Sequence, residues 1–269
     1  MTSTTAFIGG GNMASAIIGG LRREGRPASS MLVVDPDAGQ RERLATTFGV
    51  RTAAVPDPAL SAATLVVWAV KPQSFAQAAA PARPFIERAL QLSVMAGIRS
   101  GAIATATGTE RVVRAMPNTP ALIGQGISGL YARSAVTASG RAEVESVLAP
   151  TGRVIWVPRE DDLDAVTALS GSGPAYVFYF AEAMVRAAVG MGLTEGQGRE
   201  LALATFAGAT ALAQGSDEAL AALRAKVTSK GGTTHAAITA LDASGVADAF
   251  VRALQAAQVR ARELGDQFG

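Results

Sequence analysis

The stretch that decides the fold is Thr5-Ala-Phe-Ile-Gly-Gly-Gly-Asn-Met-Ala-Ser-Ala-Ile-Ile18. A short strand-forming run ends at Ile8, three glycines follow, and an Ala-rich amphipathic stretch begins at Met13. The pattern from Gly9 to Ala14 is Gly-x-Gly-x-x-Ala, and each position answers a physical need of a bound dinucleotide. Gly9 turns the chain tightly, Gly11 lets a pyrophosphate approach the backbone, and Ala14 lets the helix lie close on the sheet. Free N–H groups at the helix start then hold the phosphates. A plain strand-to-helix turn would carry the same glycines, but here the flanking strand and the elements that follow agree with dinucleotide binding.

Outward from this motif, short β-branched runs alternate with amphipathic stretches from Ala6 to about Val157, the signature of a parallel sheet with crossover helices. Strands are predicted near 5–8, 31–35, 64–70, 90–95, 111–115, 126–131 and 153–157, with helices at 13–24, 37–48, 73–88 and 137–149. After Val157 the β-branched runs cease. The acidic segment Glu160-Asp161-Asp162-Leu163-Asp164 leads into helices predicted at 160–169, 174–191, 194–214, 216–226, 232–243 and 245–266. The fold class is thus α/β followed by all-α, with a dinucleotide-binding domain over 1–158 and a helical domain over 159–269. The run from Pro174 to Met191 is apolar almost all round and needs cover on every side, which points to a subunit interface.

Composition bounds the function. The chain has 269 residues, 49% hydrophobic and 17% charged, an ordinary globular make-up with room for two modest domains. Its 24 basic and 22 acidic residues leave a formal charge of +2, and no Lys/Arg stripe interleaves with aromatics, so no nucleic-acid partner is expected. Cysteine is absent and His235 is the only histidine, which excludes a thiol nucleophile, a disulfide framework and a Cys/His zinc site in one chain. No metal is expected. The N-terminus has no basic region running into an apolar segment, and the longest uncharged stretches are broken by Pro, Gly, Ser and Asn. The expectation is a cytoplasmic protein with no membrane span.

Several other residues fall at the predicted carboxyl edge of the sheet, where open α/β sheets bind ligands. Asp35 closes the second strand near the roughly 20-residue offset at which an acidic group receives the adenosine ribose hydroxyls. A 2′-phosphate there would meet like charge, which favours NAD over NADP. Against this, Asp35 could equally serve as a turn residue, and Arg41 and Arg43 one turn on could accept a phosphate. Lys71, after the strand at 64–70, either faces phosphate, ribose or substrate or is a solvated lysine at a helix start. Asn118, in Arg114-Ala-Met-Pro-Asn-Thr-Pro120, reads mainly as part of a rigid turn.

In the helical half, Leu169-Ser-Gly-Ser-Gly-Pro174 reads as a loop with a capped helix start. No Gly-x-Ser-x-Gly elbow surrounds Ser170 or Ser172, which argues against a hydrolase. Thr228-Ser-Lys-Gly-Gly-Thr-Thr-His235 places a glycine pair before a helix, either a plain N-cap or a cradle of backbone donors for a small carboxylate.

Taken together, Ile8-Gly-Gly-Gly-Asn-Met-Ala14, Ala69-Val-Lys-Pro72, Arg114-Ala-Met-Pro-Asn-Thr-Pro120, Leu169-Ser-Gly-Ser-Gly-Pro-Ala-Tyr176 and Ser229-Lys-Gly-Gly-Thr-Thr234 resemble pyrroline-5-carboxylate reductase, in order and over nearly the whole chain. The resemblance implies reduction of 1-pyrroline-5-carboxylate to L-proline by NAD(P)H. It also implies a Rossmann-type domain followed by a helical dimerisation domain, and a homodimer that assembles further, to a decamer. By position, Ile8, Gly9, Gly11, Asn12 and Met13 would line the pyrophosphate, with Asp35 toward the adenosine ribose. Ala69, Val70, Lys71 and Pro72, with Ala96 and Gly97, would border the nicotinamide. Gly231, Gly232, Thr233 and Thr234 would hold the cyclic imino acid, with Thr234 the catalytic donor to the imine nitrogen. Lys230 stands where many members have Pro, and Asp35 where members often carry a small polar or basic residue.

Two other functions fit parts of the pattern. A hydroxyacid dehydrogenase with a helical tail uses a Lys followed one turn later by an Asn, but no Asn occurs after Asn118. A non-catalytic NAD(H) sensor would tolerate a degraded substrate loop, whereas Gly231 to Thr234 is intact.

Overall fold

The computed structural model describes residues 4–268. Eight strands form one sheet in the order β3-β2-β1-β4-β5-β6-β7-β8. They are β1 (Thr4–Ile8), β2 (Met31–Val34), β3 (Arg51–Ala53), β4 (Ala63–Trp68), β5 (Leu90–Ser93), β6 (Val112–Met116), β7 (Gly126–Ala132) and β8 (Gly152–Trp156). All neighbours pair in parallel except β6 and β7, which run antiparallel. The chain order reverses across β1, between β2 and β4, so the topological switch point lies at the carboxyl ends of those strands.

Strand side chains alternate between two cores, one on each face. Phe7, Val33, Leu65 and Val67 face the core covered by α1 (Asn12–Arg23), α2 (Ala38–Phe48) and α5 (Ala138–Leu148), through Ile17, Leu44 and Val144. Ala6, Ile8, Leu32, Val66 and Trp68 face the other, covered by α3 (Phe75–Ile86) and α4 (Ser100–Thr107) through Phe75, Ala82 and Ile103. One polar side chain is buried in that layer. The Gln91 amide accepts from Trp68 Nε1 (2.9 Å) and donates to the Ile86 and Ala89 carbonyls (both 3.0 Å), so it enters the core without an unmade hydrogen bond.

The structure corrects the expected element list at four places. β3 and α4 were not foreseen: β3 is a three-residue edge strand without an apolar run, and Ser100-Gly-Ala-Ile-Ala-Thr-Ala-Thr107 shows little contrast between its faces. Strand β4 ends at Trp68 and β5 at Ser93, so Ala69, Val70 and Val94 to Gly97 are loop. Segment 160–169 is a short helix, α6 (Asp162–Val166), continued by a π-helical turn at Thr167–Gly171 where a loop had been expected. Finally, the first compact unit runs through Ser172 and takes back the chain from Ala257 onward, while the second is Gly173–Ala256. The sequence boundary at 158 had followed the end of the β pattern.

Charge explains why the first unit extends past β8. Glu160 accepts from Ser100 N–H and from its hydroxyl (both 2.5 Å), and from Arg114 Nη1 (2.8 Å). It thereby caps the start of α4 from a distant part of the chain. Asp164 holds Arg99 through both oxygens (3.2 and 2.9 Å). Arg114 and Asp164 are each 5% exposed.

The second unit contains α7 (Gly173–Gly190), α8 (Glu195–Gln214), α9 (Leu220–Lys226), α10 (Thr233–Ala243) and the first part of α11 (Val246–Phe268). Thr194 and Gln197 form a reciprocal capping box at α8, and Gly198 lets α8 approach α7, since a Cβ there would stand 2.8 Å from Ala188 Cβ. Tyr176 and Phe180 pack edge-to-face on Phe250. As the all-round apolar pattern of α7 demands, much of its surface is left uncovered by its own chain: Phe178 is 59% exposed and Tyr179 64%, with Val189 and Met191 also exposed. Among the described residues no helix is long and apolar enough to cross a membrane.

Burial raises the Glu160 pKa, but the hydrogen bonds from Ser100 and Arg114 outweigh it and hold the carboxyl below its ordinary value. A group lowered in this way stabilises the fold above its unfolded pKa and loses that contribution as pH falls through the folded value. Thermal melts of the wild type should therefore lose stability on acidification below about pH 4.3. Glu160→Gln should cost about 3 kcal/mol at neutral pH and flatten that acid limb, checked by Tm against pH.

Candidate functional site

A cleft of about 640 Å³ opens at the switch point. Its floor is the glycine turn. Gly9 has φ +94°, and a Cβ there would stand 2.7 Å from the Ala69 carbonyl oxygen, so only glycine fits. A Cβ at Gly10 would meet Leu44 at 2.5 Å. At Gly11 the surroundings are the opposite: no atom lies within 4 Å of a built Cβ, and the N-terminus of α1 has no side-chain cap. Uncapped N–H groups facing open space are the arrangement that receives an anion. Ala14 is fully buried, in keeping with close helix–sheet packing.

Ile8, Gly9, Gly11, Asp35, Ala69, Val70 and Lys71 all line this cleft. Asn12 and Met13 form the first turn of α1 behind Gly11, and Pro72 opens a 3-10 turn after Lys71. Lys71 is exposed and has no ion-pair partner among the described residues. Ala96 and Gly97 are not among the lining residues. Gly97, at φ +76°, instead lies against the Leu264 backbone of α11. Walls that sequence reasoning missed come from Ala54-Val55-Pro56 after β3 and from Gln77, Ala78 and Pro81 of α3. The first wall went unseen because β3 did. Its signal was the exposed apolar pair Val55-Pro56 one strand beyond Asp35.

Asp35 holds the loop together as well as lining it. Its Oδ2 accepts from Gly10 N–H (2.7 Å) and its Oδ1 from Asp37 N–H (2.9 Å). Gln40 Nε2 donates to the Gly10 carbonyl. Arg41 places Nη1 on the Asp35 and Pro36 carbonyls (both 2.8 Å), and Arg43 reaches Ser15 Oγ (3.2 Å), so both arginines are engaged in the loop's own structure. Asn118 likewise serves its turn, accepting from Ile127 N–H (3.0 Å).

In the second unit, Gly231 adopts φ +75° and Gly232 is the N-cap of α10, again without a side-chain cap. A Cβ on Gly232 would come within 2.7 Å of Ser229 Oγ, so the pair is needed for the turn. Thr233 and Lys230 are exposed and Thr234 is half-buried, its hydroxyl without a partner among the described residues. His235 is exposed and contributes a backbone carbonyl to Thr239 (2.8 Å).

Comparison with known proteins places these features in context. Residues 160–264 match the family model described as pyrroline-5-carboxylate reductase dimerisation, and residues 4–97 match that of NADP oxidoreductase coenzyme F420-dependent. A pyrroline-5-carboxylate reductase of Pseudomonas aeruginosa is 42% identical, covering 100% of this chain and 99% of its own. Among solved structures, a pyrroline-5-carboxylate reductase from Coxiella burnetii superposes with a TM-score of 0.91 at 36% identity, covering 98% of this chain and 99% of its own. That of Plasmodium falciparum, with NADP bound, does so at 0.86 and 25%, covering 98% of each.

The two glycines separate structure from binding. Gly9→Ala should destabilise the fold by about 2 kcal/mol or more, read as a lowered Tm. Gly11→Ala should leave Tm unchanged yet weaken dinucleotide binding by about tenfold in a fluorescence titration.

Proposed function

The chain belongs to the pyrroline-5-carboxylate reductase family, and from that premise we propose how its residues carry the family's reaction, the reduction of 1-pyrroline-5-carboxylate to L-proline by NAD(P)H that closes proline biosynthesis. The observation that carries the reading is the uncapped start of α1 facing open space at Gly11, at the switch point of a Rossmann-type sheet. The backbone of Gly9 and Gly11 and the first-turn N–H groups of Asn12 and Met13 hold the pyrophosphate. Ile8, Ala69, Val70, Lys71 and Pro72 border the nicotinamide half, with Ala96 and Gly97 at the neighbouring strand end.

Bound NAD(P)H supplies the hydride. Reduction delivers it to the imine carbon, the C=N π electrons move to nitrogen, and a proton completes the secondary amine. A donor aimed at that nitrogen therefore stabilises charge that develops only as the hydride moves. Thr234 is that donor, its hydroxyl being free of other partners. The N–H groups at the Gly231-Gly232-Thr233 turn take the substrate carboxylate, and exposed Lys230 adds positive charge beside them. No metal enters this scheme.

Asp35 inclines the cleft toward NADH. Two carboxylates, Asp35 and Asp37, line that end of it, and the nearby Arg41 and Arg43 are bound to loop atoms. A 2′-phosphate would face like charge.

The exposed apolar surface of the second unit fits the dimer that its family model names, and we take the chain to work as a homodimer that assembles further, to a decamer. The reading also places the enzyme in the cytoplasm, acting without nucleic acid or membrane. Its support is a nearly balanced charge and a chemistry that calls only for two small molecules.

Initial rates with 1-pyrroline-5-carboxylate and each coenzyme test the reaction and the preference together: NADH should give the higher kcat/KM, and no oxidation of either would refute the reading. Because Asp35 also holds Gly10, Asp35→Ser should weaken both coenzymes while moving the ratio toward NADPH. Thr234→Ala should lower kcat by about 100-fold and leave the NADH dissociation constant nearly unaltered. Light scattering should report the mass of ten chains, against that of two for a lone dimer.

A further inference from the structure

The segment between β5 and α4 is tied down at both ends and open only in the middle. At its start Val94 N–H donates to the Trp68 carbonyl (3.1 Å), and Met95 N–H to Ser93 Oγ (3.2 Å). At its end Arg99 sets two guanidinium nitrogens on the two oxygens of Asp164 (3.2 and 2.9 Å), with Asp161 at 3.7 Å, and Ser100 is gripped by Glu160. Arg114 faces the same cluster from β6 through Glu160. On its other side the Arg99 guanidinium meets the backbone of α11: a Cβ on Gly265 would come within 2.6 Å of it. Between the anchors lie exposed Ala96 and Gly97. They stand at the carboxyl end of β5, and β5 pairs with β4, whose following residues Ala69 and Val70 line the cleft.

Burying an ion pair is costly and seldom adds net stability, so a clamp of this kind fits a need for a defined position better than a need for stability. A planar guanidinium held on both carboxylate oxygens fixes orientation as well as distance, which a lysine cannot do.

We propose that Arg99, clamped between Asp164 and the Gly265 backbone, is a positioning residue for the reduction: it sets the Ala96-Gly97 loop next to the ends of β4 so that the ring half of the coenzyme has one seat. The proposal rests on the reductase reading above. Arg99 touches neither reactant and acts through the loop it anchors.

Two variants test this in the full-length enzyme. Arg99→Lys keeps the charge and removes the fork. Gly265→Ala alters no charge, adds a good helix former to α11, and displaces the guanidinium alone, so it keeps the test open should Arg99→Lys fold poorly. The readouts are kcat, the coenzyme dissociation constant, Tm, and the primary isotope effect on kcat with coenzyme deuterated at C4. In both variants kcat should fall about tenfold while coenzyme affinity changes less than about twofold. The isotope effect should rise as hydride transfer becomes slower than the steps around it. A Gly265→Ala enzyme with wild-type kcat and isotope effect would overturn the role of Arg99, as would a loss of activity that only tracks a loss of folded protein. A wild type that oxidises neither coenzyme with 1-pyrroline-5-carboxylate would overturn the reductase reading and this role with it.

Discussion

A carbonyl oxygen and a methyl group cannot share the space beside Gly9. The Ala69 carbonyl already occupies it, and the backbone around it is stitched to three strand ends: Gly9 N–H donates to Val34, and Ala69 N–H to Ile8, both at 2.8 Å. One missing side chain thus lets β1, β2 and β4 converge at the point where the strand order reverses. The cleft, the exposed start of α1 and the placement of Lys71 all follow from that convergence. So does the second use of Asp35, whose carboxylate reaches Gly10 only because β2 ends there.

What was readable from residues alone is what has a local cause. Strand alternation divides Phe7 and Val33 from Ala6 and Leu32 onto opposite faces, and that period is visible without knowing the partners. The glycine turn announced itself because Gly9, Gly11 and Ala14 each meet a steric demand at a set spacing. The long helices from α7 to α11 were legible for the same reason, and the apolar surround of α7 told of a surface its own chain leaves bare. At the candidate site, seven of the expected coenzyme residues proved to line one cleft, Ile8, Gly9, Gly11, Asp35, Ala69, Val70 and Lys71.

The parts that stayed hidden depend on distant partners. Strand β3 exists because β2 offers it an edge, and with it went the Val55-Pro56 wall. The acidic run at 160–164 looked like a seam between domains, yet Glu160 and Asp164 satisfy Ser100, Arg114 and Arg99, which lie 60, 46 and 65 positions away. No periodicity encodes such pairings. The same holds for Gly97, whose conformation is local but whose neighbour, Leu264, comes from the far end of the chain.

That last neighbour bears on how the protein is made. The nucleotide-binding unit is completed by residues from Ala257 onward, so most of its body leaves the ribosome long before the piece that packs on Gly97 and Arg99. During synthesis the sheet can assemble, but the β5 corner must wait for the whole helical segment to be translated. Vectorial folding therefore ends where catalysis is assigned, and a nascent chain gains its finished reducing apparatus only at the close of translation.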